Sequence, residues 1–405
     1  SFPGAAPSFD SAIAALIRDY GIGGVILRPA NGNFGARRIA PLTLISMTNQ
    51  LQALAEQASS DTGAADAPYI PLFVATTASA EGIPITGFIS ETTSLPTPMA
   101  LGAAWDENLA ETAGYVMGRE LSALGVNLFL GPDLDVLLTP RPGDPSDLGT
   151  RVFGSHPFWV GELGQAYIQG MHQGSEKRML VAPRHLPGLG SADRPLSEEI
   201  PTVQKSLAEL EQDELVSFFA AMEGEPGDDS VADGVVVTHN RYRGFEGNIR
   251  ISTQPISLDT QALKLLLSLE QIAGWREAGG VLVSENLGLR SIREFYNPEG
   301  TSFNARRVVQ EALIAGNDLL ILDKLSADGE WTTHFANIRD TLEFLTSLYE
   351  NDVTFQSIVD EAVYRVLQMK LRTFPDFSLQ GVSVAPDVAE EVLAEDQSVG
   401  AQFGG

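Results

Sequence analysis

Short apolar runs alternate with longer amphipathic segments along most of the chain. The runs cover residues 24–27, 71–75, 126–130, 179–182, 234–238, 280–284 and 318–322. Each is almost continuously apolar, which is typical of a strand buried on both faces of a parallel sheet. Apolar residues recur at helical spacing in the segments around them, at residues 8–20, 41–58, 107–124, 157–172, 203–223, 258–278, 303–315, 331–349 and 354–371. The pattern predicts an α/β fold.

Eight parallel strands, each followed by a helix, would form a (β/α)8 TIM-type barrel with loop insertions. Because a helical segment precedes the first apolar run, the first strand is expected before Ser8, largely missing from the chain, with Ser1 and Phe2 as its last residues. An open doubly wound sheet is disfavoured because no glycine-rich nucleotide fingerprint follows an early strand. We expect the barrel to span residues 1–373 and residues 374–405 to be a C-terminal extension or linker, with both ends continuing in a longer protein.

Composition narrows the functional classes. Of the 405 residues 43% are hydrophobic, as in ordinary globular proteins, and the 53 acidic against 26 basic residues give a net charge of −27. Dispersed negative charge repels phosphate, so no nucleic-acid partner is expected. Cysteine is absent, and neither a metal-binding motif nor an apolar run long enough to span a membrane is present. No metal and no cofactor are therefore predicted.

Polar residues follow several of the predicted strands. In a barrel of this type, the active site is built at the C-terminal ends of the strands, and a polar group there needs a partner or a ligand. The residues concerned are Asp133 and Asp135 with Arg151 beyond them, Arg184 and His185, His239, and Glu285. We expect them to line one pocket.

Five segments in order resemble the N-terminal barrel of glycoside hydrolase family 3, on its β-N-acetylhexosaminidase side. They are GIGGVIL at 21–27, LPTPMALGA at 95–103, GVN at 125–127, RHLPG at 184–188 and GVLVS at 280–284. The resemblance covers nearly the whole chain. It implies a barrel and a retaining mechanism, in which a carboxylate attacks the anomeric carbon and a second group protonates the leaving oxygen.

The resemblance also implies roles for residues, and here the chain departs from the family pattern. The nucleophile is an Asp in the family, and Glu285 stands at its position; the extra methylene reaches about 1.5 Å further, and about 1 Å of misplacement can cost 100-fold in rate. The family's acid/base Asp and His fall on Pro195 and Ser197, which cannot replace them. An acidic residue of this loop could serve instead, namely Asp193, Glu198 or Glu199.

The substrate-binding residues implied by the family are partly retained. The sugar-binding segment corresponds to residues 76–82, of which only Glu81 and Gly82 are similar. The candidate pocket residues are Arg151, Arg184, His185 and His239. Structural roles are the alternatives: Arg151 pairing with Asp133 or Asp135, the histidines satisfied in the core, and Glu285 in a salt bridge with Arg184. The tryptophans, Trp105, Trp159, Trp275 and Trp331, are expected to pack in or under helices.

Two functions remain open from the sequence. The first is a degenerate, non-catalytic or weakly active glycan-binding or structural component of the cell surface, located outside the cytoplasm or in the cell envelope and part of a larger protein or assembly. The alternative is an active retaining β-glycosidase of the β-N-acetylhexosaminidase or β-glucosidase type. In both, the expected partner is a β-linked glycan or another carbohydrate.

Overall fold

The core of the fold is a parallel sheet whose strands follow one another in chain order. A computed structural model describes residues 1–4, 11–34, 38–61, 68–80, 83–143, 147–300 and 302–400. The six strands are β1 (Gly24–Leu27), β2 (Phe73–Thr77), β3 (Leu128–Asp133), β4 (Leu180–Leu186), β5 (Gly234–Val237) and β6 (Val281–Ser284). Every neighbouring pair is parallel, and the sheet curls into a half-barrel. The predicted barrel-type α/β fold is confirmed.

The last apolar run lies beside β6 without forming a regular strand. Leu319 forms an isolated parallel bridge with Val283, and the Ser284 amide donates to the Leu319 carbonyl at 2.8 Å. Ser1 and Phe2, predicted as the end of a strand, have no strand assignment in the described part of the chain. The Ser1 hydroxyl donates to Asp323, just beyond this last run. The two ends of the curled sheet are thus less regular than the sequence predicts.

Helices connect the strands on the outside of the sheet. They are α1 (Ala12–Tyr20), α2 (Pro41–Asp61), α3 (Pro98–Ala104), α4 (Glu107–Ala123), α5 (Pro157–Gly174), α6 (Leu207–Gln212), α7 (Glu214–Ala221), α8 (Arg243–Glu246), α9 (Thr260–Leu267), α10 (Glu270–Glu277), α11 (Arg290–Tyr296), α12 (Ala305–Ala315), α13 (Trp331–Asn351), α14 (Val353–Thr373), α15 (Leu379–Val382) and α16 (Pro386–Gly400). Two segments predicted as single helices are each divided. Asp213 (φ −117°, ψ −89°) separates α6 from α7, and Leu269 (φ −64°, ψ 133°) separates α9 from α10, because neither residue has helical dihedral angles.

Alternating strand residues fill two different cores. Leu128 and Leu130 of β3 point into the barrel, whereas Phe129 between them packs outward against the helices. Both faces of the strands are buried, which explains why they are apolar throughout. On the outside, α4 and α5 approach so closely that a Cβ on Gly170 would lie 2.0 Å from the Glu111 carbonyl oxygen.

The segment after residue 373 is folded onto the barrel helices. Arg119 of α4 pairs with Asp396 of α16 at 2.6 Å, and the Asn49 side chain of α2 donates to the Val384 carbonyl at 2.9 Å. In the described residues, no helix combines the length and the hydrophobicity needed to cross a bilayer.

A cavity of about 700 Å³ lies between β1 and the last apolar run. Its lining is mainly apolar, and Lys370 of α14 lies at the end where the strands begin, donating to the Gly23 carbonyl at 2.7 Å. Burial lowers the pKa of Lys370 to about 7. None of the polar residues predicted to form the site, Asp133, Arg184, His185, His239 and Glu285, lines this cavity.

The prediction that the tryptophans pack in or under helices is wrong for Trp105. Trp275 is 1% exposed, as expected, but Trp105 is 60% exposed. The reason is local: α3 ends at Ala104, and Trp105 takes a left-handed φ of 54° that carries its side chain away from the helix.

Candidate active site

The predicted polar residues meet at the C-terminal edge of the sheet. Asp133 is the last residue of β3 and is in register with Arg184 of β4, while Glu285 follows β6 and its amide donates to the Val237 carbonyl of β5 at 3.0 Å. Because the strands are parallel and adjacent, their C-terminal ends bring residues distant in the sequence together. The cluster forms at the place that the strand pattern predicts.

Arg184 is held by Asp133, and this differs from the predicted salt bridge with Glu285. The Arg184 Nε atom lies 2.5 Å from Asp133 Oδ1, and the two residues are 9% and 1% exposed. Burial opposes ionisation of Asp133, but Arg184 and then His185 and Arg151 outweigh it and lower the pKa of the carboxyl. Arg184 is nearer to Asp133 because the register of β3 and β4 places the two side by side.

Arg151 lies at the edge of this cluster. The isolated bridge between Asp133 and Val152 brings the turn at residues 149–151 against the end of β3. The Arg151 Nε donates to the Leu148 carbonyl at 3.1 Å, and its charge contributes to the lowered pKa of Asp133. Arg151 therefore acts on Asp133 through its charge, while its Nε hydrogen bond is made to the Leu148 backbone carbonyl.

His185 connects a second aspartate with Glu285. Its Nδ1 is 2.8 Å from Asp135 Oδ2, and its Nε2 is 3.8 Å from Glu285 Oε2. Asp135 also accepts a hydrogen bond of 2.6 Å from the Leu189 amide. A carboxylate that accepts from Nδ1–H fixes the orientation of the imidazole, so that Nε2 faces the opposite carboxylate.

Glu285 is a carboxylate at the border between the protein interior and solvent. Its side chain is 13% exposed, and the Asn286 amide donates to Oε1 at 2.9 Å. Burial raises its pKa, but the charges of His185 and Arg184 outweigh this effect, so that the pKa lies below its ordinary value of 4.5. Glu285 is thus ionised near neutral pH and has an oxygen available for chemistry.

His239 is a buried histidine with both ring nitrogens occupied. Nδ1 lies 2.6 Å from Ser257 Oγ, Nε2 lies 3.2 Å from the Asn286 carbonyl, and the residue is 0% exposed. Burial lowers its pKa to about 4, so the ring is neutral. This geometry favours the structural alternative, in which His239 holds the backbone next to Glu285; contact with substrate stays a prediction.

The three loop carboxylates predicted as possible acid/base groups lie on the surface. Asp193, Glu198 and Glu199 are all exposed. Arg194 pairs with Asp193 at 2.9 Å and also with Glu199. In the described structure, none of the three forms a hydrogen bond or ion pair with Glu285, so their role stays a prediction.

The cluster has little capacity left for a metal ion. Ligand atoms of Asp133, Asp135 and His185 lie within 4.8 Å of one another. However, Asp133 is bound by Arg184, and Asp135 by the His185 ring and the Leu189 amide. These contacts indicate an internal hydrogen-bond network.

The predicted sugar-binding segment, residues 76–82, is described only in part. The Thr76 hydroxyl donates to the Leu27 carbonyl at 3.2 Å, and Glu81 and Gly82 lie outside the described residues.

Sequence reasoning missed the contributions of Asn286 and Ser257. Asn286 Oδ1 accepts from the Gly288 and Asp323 amides at 3.0 and 3.1 Å, which fixes the loop that carries Glu285. The position of Asn286 directly after Glu285 could have indicated this role. No sequence feature indicated Ser257, because it lies 18 residues from His239 and their contact depends on the tertiary structure.

A curled parallel sheet with a carboxylate and basic residues at its C-terminal strand ends is the arrangement in which barrel enzymes carry their active sites. A family model, the Glycosyl hydrolase family 3 N terminal domain, matches residues 5–369. The chain belongs to glycoside hydrolase family 3.

Individual relatives agree with this assignment. Beta-hexosaminidase A of Pseudoalteromonas piscicida is 27% identical over 297 residues, covering 71% of this chain and 44% of the relative. Beta-hexosaminidase of Chromobacterium violaceum is 35% identical over 144 residues, covering 34% of this chain and 38% of the relative. The aligned regions span less than half the length of either relative.

A solved structure supports the fold. The glycoside hydrolase family 3 beta-N-acetylglucosaminidase from Paenibacillus sp. str. FPU-7 superposes with a TM-score of 0.71 at 23% identity, covering 97% of this chain and 65% of that one. At this identity the similarity establishes a common fold.

Proposed function

We propose that the chain is the barrel of an active retaining β-glycosidase of the β-N-acetylhexosaminidase type. The observation that carries this proposal is the Glu285 carboxylate, which is ionised, partly accessible and placed at the C-terminal edge of the sheet beside His185. Membership of glycoside hydrolase family 3 and the similarity to beta-hexosaminidases support a β-linked glycan as the substrate.

In this mechanism Glu285 attacks the anomeric carbon while the bond to the leaving oxygen breaks. The leaving oxygen takes a proton from an acid, and a glycosyl ester of Glu285 remains. The same group, now a base, takes a proton from water, and the resulting hydroxide displaces Glu285 from the anomeric carbon. Asp193, Glu198 and Glu199 are the candidates for the acid/base, because their loop follows β4.

Hydrolysis of aryl β-N-acetylglucosaminide and aryl β-glucoside tests the proposal. We expect the first substrate to be preferred and Glu285→Gln to abolish turnover, because the amide is a poor nucleophile. Glu361→Gln is the matched control, since its exposed carboxylate lies on α14 and pairs with Arg365. Wild-type protein without turnover on either substrate, or Glu285→Gln with full activity, would exclude the mechanism.

The pH dependence of kcat/KM provides a second test. Because His185 and Arg184 keep the pKa of Glu285 below its ordinary 4.5 despite burial, the acid limb due to the nucleophile is expected below pH 4.5. An acid limb above this pH that shifts in a Glu285→Asp variant with residual activity would contradict the electrostatics described for the site.

A non-catalytic glycan-binding or structural role is the second candidate. It is favoured by the absence of the family's acid/base pair at Pro195 and Ser197, and by Arg194, which neutralises Asp193 and Glu199. Such a protein would bind glycans and leave both aryl glycosides intact. A location outside the cytoplasm or in the cell envelope, and assembly with a further domain, remain proposals of the same kind.

A further inference from the structure

Three aromatic side chains form an exposed cluster beside the candidate site. Trp105 is 60% exposed and Phe158 is 51% exposed, and Trp159 lies between them. The ring centroids of Trp105 and Trp159 are 5.2 Å apart, and those of Phe158 and Trp159 are 5.4 Å apart, both in edge-to-face geometry. These three residues are called the aromatic patch. Contiguous exposed aromatic surface is uncommon on soluble proteins and marks binding sites.

The backbone holds the aromatic patch in a defined place. Trp105 lies at the C-terminal end of α3, and Phe158 and Trp159 lie in the first turn of α5, directly after Pro157. α3 is pressed against the chain that precedes α5, because a Cβ on Gly102 would lie 1.6 Å from the Phe153 carbonyl oxygen. The exposed rings of Trp105 and Phe158 are therefore carried by helix ends that are packed closely against neighbouring backbone.

Buried side chains connect α3, which precedes Trp105, with the candidate active site. A small apolar cluster of Leu137, Leu148 and Val152 packs against Met99 of α3 and Leu189. Two of these residues contact the site directly: Val152 forms an isolated β-bridge with Asp133, and the Leu189 amide donates to Asp135. Met99 is near the start of α3, and Trp105 lies six residues later, about 9 Å further along the helix direction at 1.5 Å per residue.

We propose that the aromatic patch binds a sugar ring of an extended, uncharged β-linked N-acetylhexosamine chain whose terminal sugar lies at Glu285. This inference rests on the proposed function and extends it from a single sugar to a polymer. One face of such a sugar ring carries C–H groups that pack on an aromatic ring, while its hydroxyl and amide groups stay in water.

Charge around the aromatic patch disfavours an acidic ligand. Asp106 and Glu107 follow Trp105 in the sequence, and Glu162 lies one helical turn after Phe158. Burial and then the nearby Glu107 carboxylate raise the pKa of Glu162, as is expected where acidic groups lie close together. An acidic partner would meet the same repulsion, whereas a neutral glycan would not.

Binding of N-acetylchito-oligosaccharides to Glu285→Gln protein tests the inference without interference from turnover. We expect affinity, measured by calorimetry, to rise from the monosaccharide to the hexasaccharide. Trp105→Leu in this background should weaken hexasaccharide binding by about tenfold, the value of one aromatic contact. Trp105→Phe, which keeps an aromatic face, should retain most of the affinity, and Phe158→Ala provides an independent variant.

Tyr364→Ala is the matched control, because Tyr364 is 62% exposed on α14 and lies away from the site. Circular dichroism and the thermal midpoint establish that each variant is folded. Equal hexasaccharide affinity in the Trp105→Leu and parent proteins would overturn the inference. So would concentration-dependent dimerisation abolished by Trp105→Leu, which would make the patch a contact between two copies.

Failure of this inference is distinguishable from failure of the proposed function. If the wild-type protein hydrolyses aryl N-acetylglucosaminide but Trp105→Leu leaves hexasaccharide binding unchanged, only the inference is wrong. If no aryl glycoside is hydrolysed but long chains bind through Trp105, the aromatic patch is correct and the catalytic proposal is wrong.

Discussion

Replacing Asp133 with asparagine should destabilise the fold by about 3 kcal/mol, because Arg184 would stay buried without its main counter-charge. Asp133 and Arg184 are 1% and 9% exposed, so water screens their interaction poorly. Removal of one member of such a pair costs about 3–5 kcal/mol. The lower end of this range applies here because Glu285 and Asp135 also act on the Arg184 charge.

The matched control is the surface pair of Arg306 with Asp340, whose side chains are 49% and 50% exposed. Asp340→Asn removes the same charge where solvent screens it, so the expected cost is below about 1 kcal/mol. Urea unfolding followed by circular dichroism measures both variants at neutral pH. A double variant, Asp133→Leu with Arg184→Met, should recover much of the lost stability because it leaves no buried charge unpaired.

A cost for Asp133→Asn no greater than that for Asp340→Asn would refute the description of a buried, tightly coupled pair. Activity gives a second readout, since the Asp133 carboxylate accepts the hydrogen bonds that position Arg184 in the site.

Two further predictions concern stability. His172 is 4% exposed, and burial disfavours its charge, but Asp233 at 2.9 Å outweighs this and raises the pKa above 6.5. The stabilisation by the charged His172 ring is therefore complete below pH 6.5 and is lost as the pH rises through its pKa in the folded protein. His172→Gln should flatten the pH dependence of the urea midpoint in this range. An unchanged slope would contradict the ion pair. Gly170→Ala should cost about 1–3 kcal/mol, because its Cβ would lie 2.0 Å from a carbonyl oxygen of α4. Gly274→Ala, in a helix with no atom within 4 Å of the new Cβ, should instead be neutral or stabilising, and equal unfolding midpoints would exclude the close helix contact.

The strands show how much of the fold could be predicted. β1 occupies the predicted residues 24–27, and β5 and β6 differ from prediction by one residue at an end. β4 extends to Leu186, beyond the predicted end at residue 182, because Arg184 and Leu186 still pair with neighbouring strands. A polar residue interrupts the apolar pattern, but it does not end a strand whose partners continue on both sides.

The position of the site could be predicted from the sequence, but its internal pairing could not. Placing Arg184, His185, His239 and Glu285 at strand ends required only the knowledge that parallel strands end on one edge. Which carboxylate Arg184 contacts depends on the register of β3 and β4, and both Asp133 and Glu285 are compatible with the strand pattern.

The sequence alone determined a parallel α/β barrel, its family resemblance and the edge of the sheet that carries the chemistry, because these depend on local periodicity and on the order of the elements. Only the tertiary structure decided that Asp133 holds Arg184, that Asp135 orients His185 towards Glu285, and that Trp105 faces solvent. These depend on distances of a few ångströms between residues far apart in the chain. Such distances follow from strand register and from where a helix ends, and the hydrophobic pattern does not encode either closely enough.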